Sequence, residues 1–534
     1  MTREATHGSR ILSMAGGTLA SRLTGLLRVL VLAWAFGFTP LADAFNLANT
    51  VPNMLFDLVL GGIAGATFIP VFVERLALDG ERRAWRSISS VVTAAVILLV
   101  IASAISWWGA PWIIDGFTAM RHASSTASLT SLRHQRAIAT ALLRWFVPQV
   151  FFYGVIGVAT ALLNVRQKFI MATWVPVANN FVCIAVLIWF HVVDPSPTLA
   201  TLASSRDLLW LGLGTTLGVA VQFLLLFPSL ARSDISRLTP RLDLRDPALR
   251  AVGRLGSWIL LVVLTNQLSL YVVLALAYGI GGSGPVSAYT YGWSFMQMPY
   301  AVIVVSILGS LTPQFAHLAT AQDFDALGER LRFGLRQSLV IIIPSSLVLL
   351  VLAQPLVAIL LNHLDARHPL DAGTVLAILA AGLPGFTVFQ LCVRGLQAMQ
   401  RARQIFLLYV VENGLTIVVA FALGRHSVAG LTASVSIGYS VTAVAALAVL
   451  AHYRVRVAPV IWSVHMRRTL TASLAATAAI VLVYATSGAT HGTGLVARFS
   501  AALVLGTVAY VVAIVLGQRR AARHRSKDAR LGTF

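Results

Sequence analysis

The chain has 534 residues, of which 57% are hydrophobic and only 11% are charged. Soluble domains carry about 25% charged residues, so this composition excludes an ordinary soluble enzyme and predicts a polytopic membrane protein. The net charge of +21 does not indicate a nucleic-acid partner, because the basic residues lie in short segments between apolar runs, as they do where they set membrane topology.

Fourteen apolar segments predict an all-α polytopic membrane protein with about 14 transmembrane helices, in two bundles plus two extra C-terminal helices. The approximate spans are 11–37, 44–74, 88–114, 139–163, 170–192, 208–231, 254–280, 286–316, 337–361, 373–399, 404–424, 428–451, 467–487 and 495–517. The predicted organisation is an N-terminal lobe (1–231, helices 1–6), a basic cytoplasmic linker (232–253), a C-terminal lobe (254–451, helices 7–12), helices 13 and 14 (452–517) and a basic cytoplasmic tail (518–534). Two bundles around a central site are a common plan of transporters.

The distribution of Lys and Arg predicts the orientation. An even number of spans places both termini on one side, and the segments on that side carry 30 of the 40 Lys and Arg residues, against 8 on the other side. The positive-inside rule then places both termini in the cytoplasm, in a multi-pass protein of the cell membrane. The longest loop predicted on the outside is 115–138. The two cations assigned to neither side are Arg22 and Arg28.

Arg22 and Arg28 lie inside the first apolar segment. An arginine at membrane depth costs at least about 2.5–3.5 kcal/mol, so we expect the pair to face protein or a polar cavity. Guanidinium groups bind phosphate through two parallel hydrogen bonds and stay charged, which favours an anionic substrate such as a diphosphate. Six residues correspond to about 9 Å of rise and about 120° of rotation, so the pair does not share one face of a straight helix. Snorkelling of either side chain to the cytoplasmic interface is the open alternative.

Acidic residues supply the remaining candidates. Asp43 follows a turn predicted at 37–40, where it either stabilises the N-terminus of the second helix or pairs with an arginine in one state only. Asp57 lies deeper in the same segment, beyond Asn53, and is a candidate counter-charge to an arginine. An acid within a span is a functional-site hypothesis, so Glu412, with its neighbour Asn413, is a candidate ion-coupling site. A neutral, hydrogen-bonded acid is the alternative for Glu412.

Enzyme motifs are missing from the sequence. It contains no Walker sequence, no HExxH and no nucleophile elbow, so we predict a transporter with no catalytic residues, no metal site and no cofactor. Sodium, protons or the membrane potential remain open as the driving force.

Two stretches of the chain resemble the MurJ/MviN lipid II flippases, which belong to the multidrug/oligosaccharidyl-lipid/polysaccharide exporter superfamily. The first stretch is Ser21-Arg22, Gly25, Arg28, Ala42-Asp43-Ala44-Phe45, Val51-Pro52-Asn53 and Phe68-Ile69-Pro70. The second is Tyr289-Thr290-Tyr291, Met298-Pro299-Tyr300 and Leu311-Thr312-Pro313. The arginine-rich composition resembles the actinobacterial branch of the family.

The resemblance implies a flippase that moves an undecaprenyl-diphosphate-linked peptidoglycan precursor from the inner to the outer leaflet by alternating access. It gives functional weight to six residues, namely Ser21, Arg22, Gly25, Arg28, Asp43 and Asn53. Many members carry further arginines where this chain has Phe56, Asp57 and Ser294. The implied partners are the lipid-linked glycopeptide, anionic membrane lipids and cell-wall synthesis proteins. Alternative functions are flipping of another polyprenyl-diphosphate glycan and cation-coupled drug export.

Overall fold

The structure is a computed structural model. It describes residues 2–61, 67–121, 125–166, 169–195, 197, 199, 206–232, 238–281, 284–360, 369–425, 427–460, 463–486 and 492–531. The chain forms two compact units, Met1–Thr290 and Tyr291–Phe534.

The first unit is built of long helices. They are α1 (Thr2–Phe36), α2 (Pro40–Phe56), α3 (Ile69–Leu78), α4 (Gly80–Thr118), α5 (Thr126–Phe146), α6 (Pro148–Val165), α7 (Phe169–Val193), α8 (Arg206–Ala231), α9 (Pro247–Ile280) and the start of α10 (Pro285–Pro299), with a π-helical turn at Asp57–Gly61. Helix α1 packs along α7, α2 packs along α5, and α4 contacts α5, α6 and α9. Apolar side chains from α4, α6 and the π-helical turn, such as Leu99, Val150 and Leu60, form one buried core.

The second unit continues α10 into a π-helical turn at Tyr300–Val304. It then contains α11 (Val305–Thr320), α12 (Phe324–Leu360), α13 (Pro369–Ala398), α14 (Ala402–Leu423), α15 (Val428–His452), α16 (Val464–Thr486) and α17 (Gly492–Leu531). Helix α13 contacts both α12 and α15, while α16 and α17 pack on each other and on α12. Leu352, Ile480 and Ala502 form the buried centre of that last group.

The all-α membrane fold is confirmed. Among the described residues, 13 helices are long and apolar enough to cross a membrane, and they correspond to 13 of the 14 predicted spans. The remaining span, 44–74, includes residues 62–66, which lie outside the described residues. The eighth span contains a π-helical turn that follows Pro299, whose ring clashes with the carbonyl one turn earlier and which has no N–H to donate.

The turn predicted at 37–40 is present. Helix α1 ends at Phe36, and Gly37 has a φ of 62°, a conformation that glycine adopts without steric cost. Thr39 then caps α2, because its side chain accepts a hydrogen bond from the Ala42 amide at 3.2 Å. Pro40 occupies the first helical position, where its fixed φ suits the helix and a missing N–H costs nothing.

The loop predicted at 115–138 is mostly helical. Helix α4 extends to Thr118 and α5 begins at Thr126, so the predicted bounds are wrong there. Ser125 and Ser128 explain the early start of α5, because each side chain bonds the other residue's backbone in a capping box. Such a box satisfies two N–H groups that a helix start otherwise leaves without partners. A serine-rich stretch therefore begins a helix where low hydropathy had indicated a loop.

Residues 247–253 of the predicted linker 232–253 form the first turns of α9. Residues 238–246 run along α4. The Thr239 amide donates to Ser89 Oγ at 3.2 Å, and the Asp243 amide donates to Ser90 Oγ at 2.9 Å. Ser87 Oγ donates to Asp246 at 2.9 Å. Serine side chains of α4 thus bind this part of the linker to the surface of that helix.

Candidate functional site

Arg28 lies half-buried between three helices of the first unit. Its guanidinium lies beside the Cys183 thiol of α7 and near the Tyr153 phenol of α6. Among the described residues, no Asp or Glu comes within 4.0 Å of Arg28 or of Arg22. A cation that no protein carboxylate neutralises is suited to bind an anionic ligand.

Arg22 lies nearer the start of α1 and is exposed. Helix α1 is continuous from Thr2 to Phe36, so Gly25 does not interrupt it. The rotation of about 120° between Arg22 and Arg28 therefore holds. The two guanidinium groups leave the helix in different directions and do not form a simple clamp on one face.

Ser21 and Gly25 lie where α1 meets α7. The Asn180 side-chain amide donates to the Ser21 carbonyl at 3.2 Å and to Thr24 Oγ1 at 3.0 Å. A Cβ at Gly25 would meet the same amide nitrogen at 3.6 Å. Both residues therefore serve the packing between these helices, and the Ser21 contact uses its backbone. Asn180 was not among the predicted site residues, because its only signal in the sequence is a polar residue inside the fifth span.

Asp57 begins the π-helical turn that follows α2. It is exposed, and Gln267 of α9 donates to its carboxylate at 3.2 Å. Its partner is an amide, not the arginine that we expected. Phe56, one residue earlier, contacts Tyr153 with 6.0 Å between the ring centres. Tyr153 is also close enough to Arg28 to feel its charge, but no described contact joins Arg28 to Asp57.

Asn53 lies one turn before Asp57 on α2. Its side chain is exposed and donates to the Asn49 carbonyl of its own helix at 2.8 Å. The structure therefore places Asn53 on an open face, with a bond inside its own helix and, among the described residues, none to another helix.

Asp43 lies at the opposite end of α2 from Asp57. It is 14 residues before Asp57, or about 21 Å along a helix axis. Its side chain is buried and accepts two hydrogen bonds from Ser287 of α10, one from the amide at 2.8 Å and one from the hydroxyl at 2.7 Å. Asn46 donates to the same hydroxyl at 3.0 Å. A carboxylate at the first turn of a helix is favoured by the helix dipole, so Asp43 acts as a cap for another helix.

Glu412 and Asn413 are buried in α14, in the second unit. One Glu412 oxygen accepts from Thr416 Oγ1 at 3.3 Å, and the other has no hydrogen-bond partner among the described residues. Gly438 of α15 covers the site, because a Cβ there would lie 2.2 Å from Thr416 Oγ1 and 3.4 Å from the carboxyl. A buried carboxylate needs a proton or a compensating cation. Thr416 and Gly438 had no distinguishing signal in the sequence.

Within the described ranges, no group of three or more His, Cys, Asp or Glu residues is placed to hold a metal ion.

Comparison with known proteins identifies the family. A family model described as "Lipid II flippase MurJ" matches residues 32–505. The chain belongs to the lipid II flippase MurJ family. The "Lipid II flippase MurJ" of Burkholderia cenocepacia is 27% identical over 438 residues, covering 80% of each chain. The "Probable lipid II flippase MurJ" of Rhizobium meliloti is 27% identical over 402 residues, covering 73% of this chain and 70% of the relative.

Solved structures agree with this assignment at the level of the fold. A structure described as "Lipid II flippase MurJ, inward closed conformation" has a TM-score of 0.73 at 17% identity, over 95% of this chain and 99% of that chain. An inward-facing multidrug resistance MATE family transporter of the MOP superfamily has a TM-score of 0.65 at 15% identity, over 84% of this chain and 99% of that chain. Because the chain belongs to the MurJ family, the protein is a multi-pass membrane transporter and not an enzyme. Membership in the actinobacterial branch stays a prediction.

Proposed function

We propose that this member of the MurJ family translocates lipid II and that Arg28, with Arg22, receives the diphosphate of the lipid. The observation that carries the assignment to Arg28 is its position among α1, α6 and α7, half-buried and without a carboxylate partner in the described part of the chain. Phosphate oxygens that replace water around such a guanidinium form hydrogen bonds that are about twice as strong as neutral ones. Many family members have additional arginines at the positions that Phe56, Asp57 and Ser294 occupy here. In this chain Arg22 and Arg28 would therefore contribute more of the binding of the diphosphate.

The proposed cycle is alternating access between a lobe at 1–231 and a lobe at 254–451. The segment 232–253 connects the lobes, helices 13 and 14 occupy 452–517, and the tail is 518–534. Both termini are cytoplasmic in this proposal, which rests on the excess of Lys and Arg on one side of the predicted topology. Asp43 contributes by holding the first turn of α10 in one state of the cycle. Ser21, Gly25, Asn53 and Asp57 support the site through the contacts of α1 and α2.

Coupling is proposed to involve Glu412, with Asn413 beside it. A buried carboxyl group with one oxygen lacking a partner takes up a proton or a sodium ion more readily than a satisfied one, because either cation removes the cost of burying the charge. Anionic lipids and cell-wall synthesis proteins remain proposed partners.

The test uses purified protein in proteoliposomes loaded with lipid II. We expect Arg28→Ala to lower the rate of lipid II exposure at the opposite leaflet at least tenfold, because a lost charged hydrogen bond is worth about 1.5–3 kcal/mol. Arg28→Lys keeps the positive charge but lacks the planar guanidinium group, so its transport rate should lie between those of the native protein and Arg28→Ala. Arg144→Ala is the matched control, because Arg144 is an exposed arginine on α5. Unchanged rates in Arg28→Ala and Arg22→Ala would overturn the site.

A second candidate function is cation-coupled drug export, which the buried Glu412 carboxyl favours. Rescue of a strain depleted of its own lipid II flippase distinguishes the two functions. Rescue supports the flippase, whereas altered drug susceptibility with no rescue supports the exporter. Rescue only of a strain that lacks a different polyprenyl-diphosphate flippase would point to another glycan.

A further inference from the structure

A cavity of about 400 Å³ lies in the second unit, where the start of α12 meets the segment before α16. Its polar lining includes Arg332, Arg336, Ser463 and His465, with Glu329 as the acid. This cavity is separate in sequence from every candidate of the transport site. The surrounding segments are on the side predicted to be cytoplasmic, where Arg330, Arg332 and Arg336 lie within two turns of the end of the ninth predicted span.

The cavity is positively charged. Arg332 and Arg336 are four residues apart, so they project from neighbouring turns of one face of α12. Arg332 donates to the Arg456 carbonyl at 2.7 Å, and its ion pair with Glu329 is long, at 3.7 Å. Arg336 lies over the Phe333 ring at 5.8 Å and forms no ion pair with any described residue. The cavity therefore contains the guanidinium groups of Arg332 and Arg336 but only one carboxylate, that of Glu329, which forms a long ion pair.

The start of α16 adds a second feature that favours anions. Ser463 caps this 23-residue helix, because its Oγ accepts from the Met466 amide at 3.2 Å. Ser463 and His465 belong both to the first turn of α16 and to the cavity lining. The N-terminus of a helix carries a partial positive charge and N–H groups that suit phosphate oxygens. The arginines of α12 and the start of α16 therefore favour the same ligand from two directions.

Apolar surface beside the cavity indicates where the ligand comes from. Phe333 is 39% exposed and Val464 is 49% exposed, and both are next to residues of the polar lining. Pro459 and Val460 also line the cavity. A free phosphate ion gains nothing from such a border, whereas a phospholipid places its phosphate among basic residues and its acyl chains along apolar ones.

We propose that this cavity binds the phosphate headgroup of an anionic phospholipid. The bound lipid bridges the start of α12 and the start of α16, and it adds to the bond that Arg332 donates to the Arg456 carbonyl. The site is independent of the proposed diphosphate site in the first unit, so either assignment stands if the other fails.

Native mass spectrometry of the full-length protein tests the proposal, with dioleoylphosphatidylglycerol and dioleoylphosphatidylcholine titrated in parallel. We expect tighter binding of phosphatidylglycerol, and a loss of roughly fivefold in affinity for each arginine removed by Arg332→Gln and Arg336→Gln. The matched control is Arg250→Gln with Arg254→Gln, because these are also two arginines four residues apart near the start of a helix, α9, but they are exposed and do not line the cavity. The control should keep the affinity of the native protein.

Arg336→Gln alone keeps the test valid if the double variant does not fold, since Arg332 then retains its bond to Arg456. Equal phosphatidylglycerol affinity in Arg336→Gln and in the control pair would overturn the proposal. Inorganic phosphate at millimolar concentration is added in a further arm. Complete displacement of the lipid by phosphate would also overturn it, because the site would then recognise the free ion.

Discussion

Two acidic residues illustrate how tertiary neighbours decide a side chain's role. Asp43 and Glu412 are both buried. Asp43 was a candidate because it follows the turn before the second helix, and Glu412 because it is an acid within a span. The structure gives Asp43 two donors from Ser287, whereas Glu412 keeps one oxygen without a partner among the described residues. A buried carboxylate with hydrogen-bond donors stabilises the fold. A buried carboxylate with an oxygen that lacks a donor binds a proton or a cation more readily.

Replacement of Asp43 should destabilise the protein, and the loss of stability should be larger for the variant that loses more hydrogen bonds. Asp43→Ala leaves the Ser287 amide and hydroxyl without an acceptor, which costs about 1–3 kcal/mol for a buried group. Asp43→Asn retains an oxygen that accepts both bonds and should lose less. Thermal unfolding of the two purified variants in the same detergent measures the difference. Equal melting temperatures would show that Asp43 does not hold α10 through these bonds.

Replacement of Glu412 should uncouple transport from its driving gradient. Glu412→Gln preserves the size of the side chain but removes the group that takes a proton or a sodium ion. We expect lipid II exposure in proteoliposomes to become insensitive to an imposed proton or sodium gradient, while the native protein responds to one of them. Glu74→Gln, at an exposed acid, is the control. A gradient response in Glu412→Gln equal to that of the native protein would exclude Glu412 from coupling.

At the scale of the elements, close helix contacts depend on particular small residues. Gly438 lets α15 approach the Glu412 and Thr416 side chains of α14, since a Cβ would stand 2.2 Å from Thr416 Oγ1. Gly414 lies on α14 itself, and a Cβ there would meet nothing within 4 Å. Helix pairs in membranes associate through such small residues because lipid supplies no hydrophobic force between them.

These two glycines form a matched test. Gly438→Ala should destabilise the protein by about 1–3 kcal/mol through overpacking. Gly414→Ala should be neutral or stabilising by up to about 1 kcal/mol, because alanine restricts the unfolded chain and is the better helix former. Denaturation of both variants, followed by circular dichroism, reports the difference. Equal stabilities would contradict the close contact of α14 with α15.

At the scale of the whole molecule, hydropathy and charge predicted the spans well because each span must bury apolar surface in lipid on its own. The turn at Gly37 to Pro40 was also predictable, since its signal is local. The partners of Asp43 and Asp57 were not, because Ser287 and Gln267 come from segments distant in sequence. The close approach of Gly438 to Glu412 was not predictable either, because it depends on how two neighbouring helices pack. The serine contacts between α4 and residues 238–246 were missed for the same reason.

The orientation of the chain can be checked with cysteine labelling. Cys183 and Cys392 are buried, so they should react slowly and leave introduced cysteines readable. We expect Ala127→Cys, at the start of α5, to react with a membrane-impermeant maleimide on intact cells. Ser526→Cys, in the basic tail, should react only after permeabilisation. The reverse pattern would place both termini outside the cell.

The absence of a carboxylate partner for Arg28 within the described chain has a thermodynamic consequence. An occupant that binds the folded carrier and not the unfolded chain adds stability by mass action, about 2.7 kcal/mol at a concentration 100 times its dissociation constant. A diphosphate that neutralises the guanidinium is such an occupant. The melting temperature of the protein should therefore rise when a lipid occupies the site. Candidate lipids can be ranked by the size of this rise before any transport is measured.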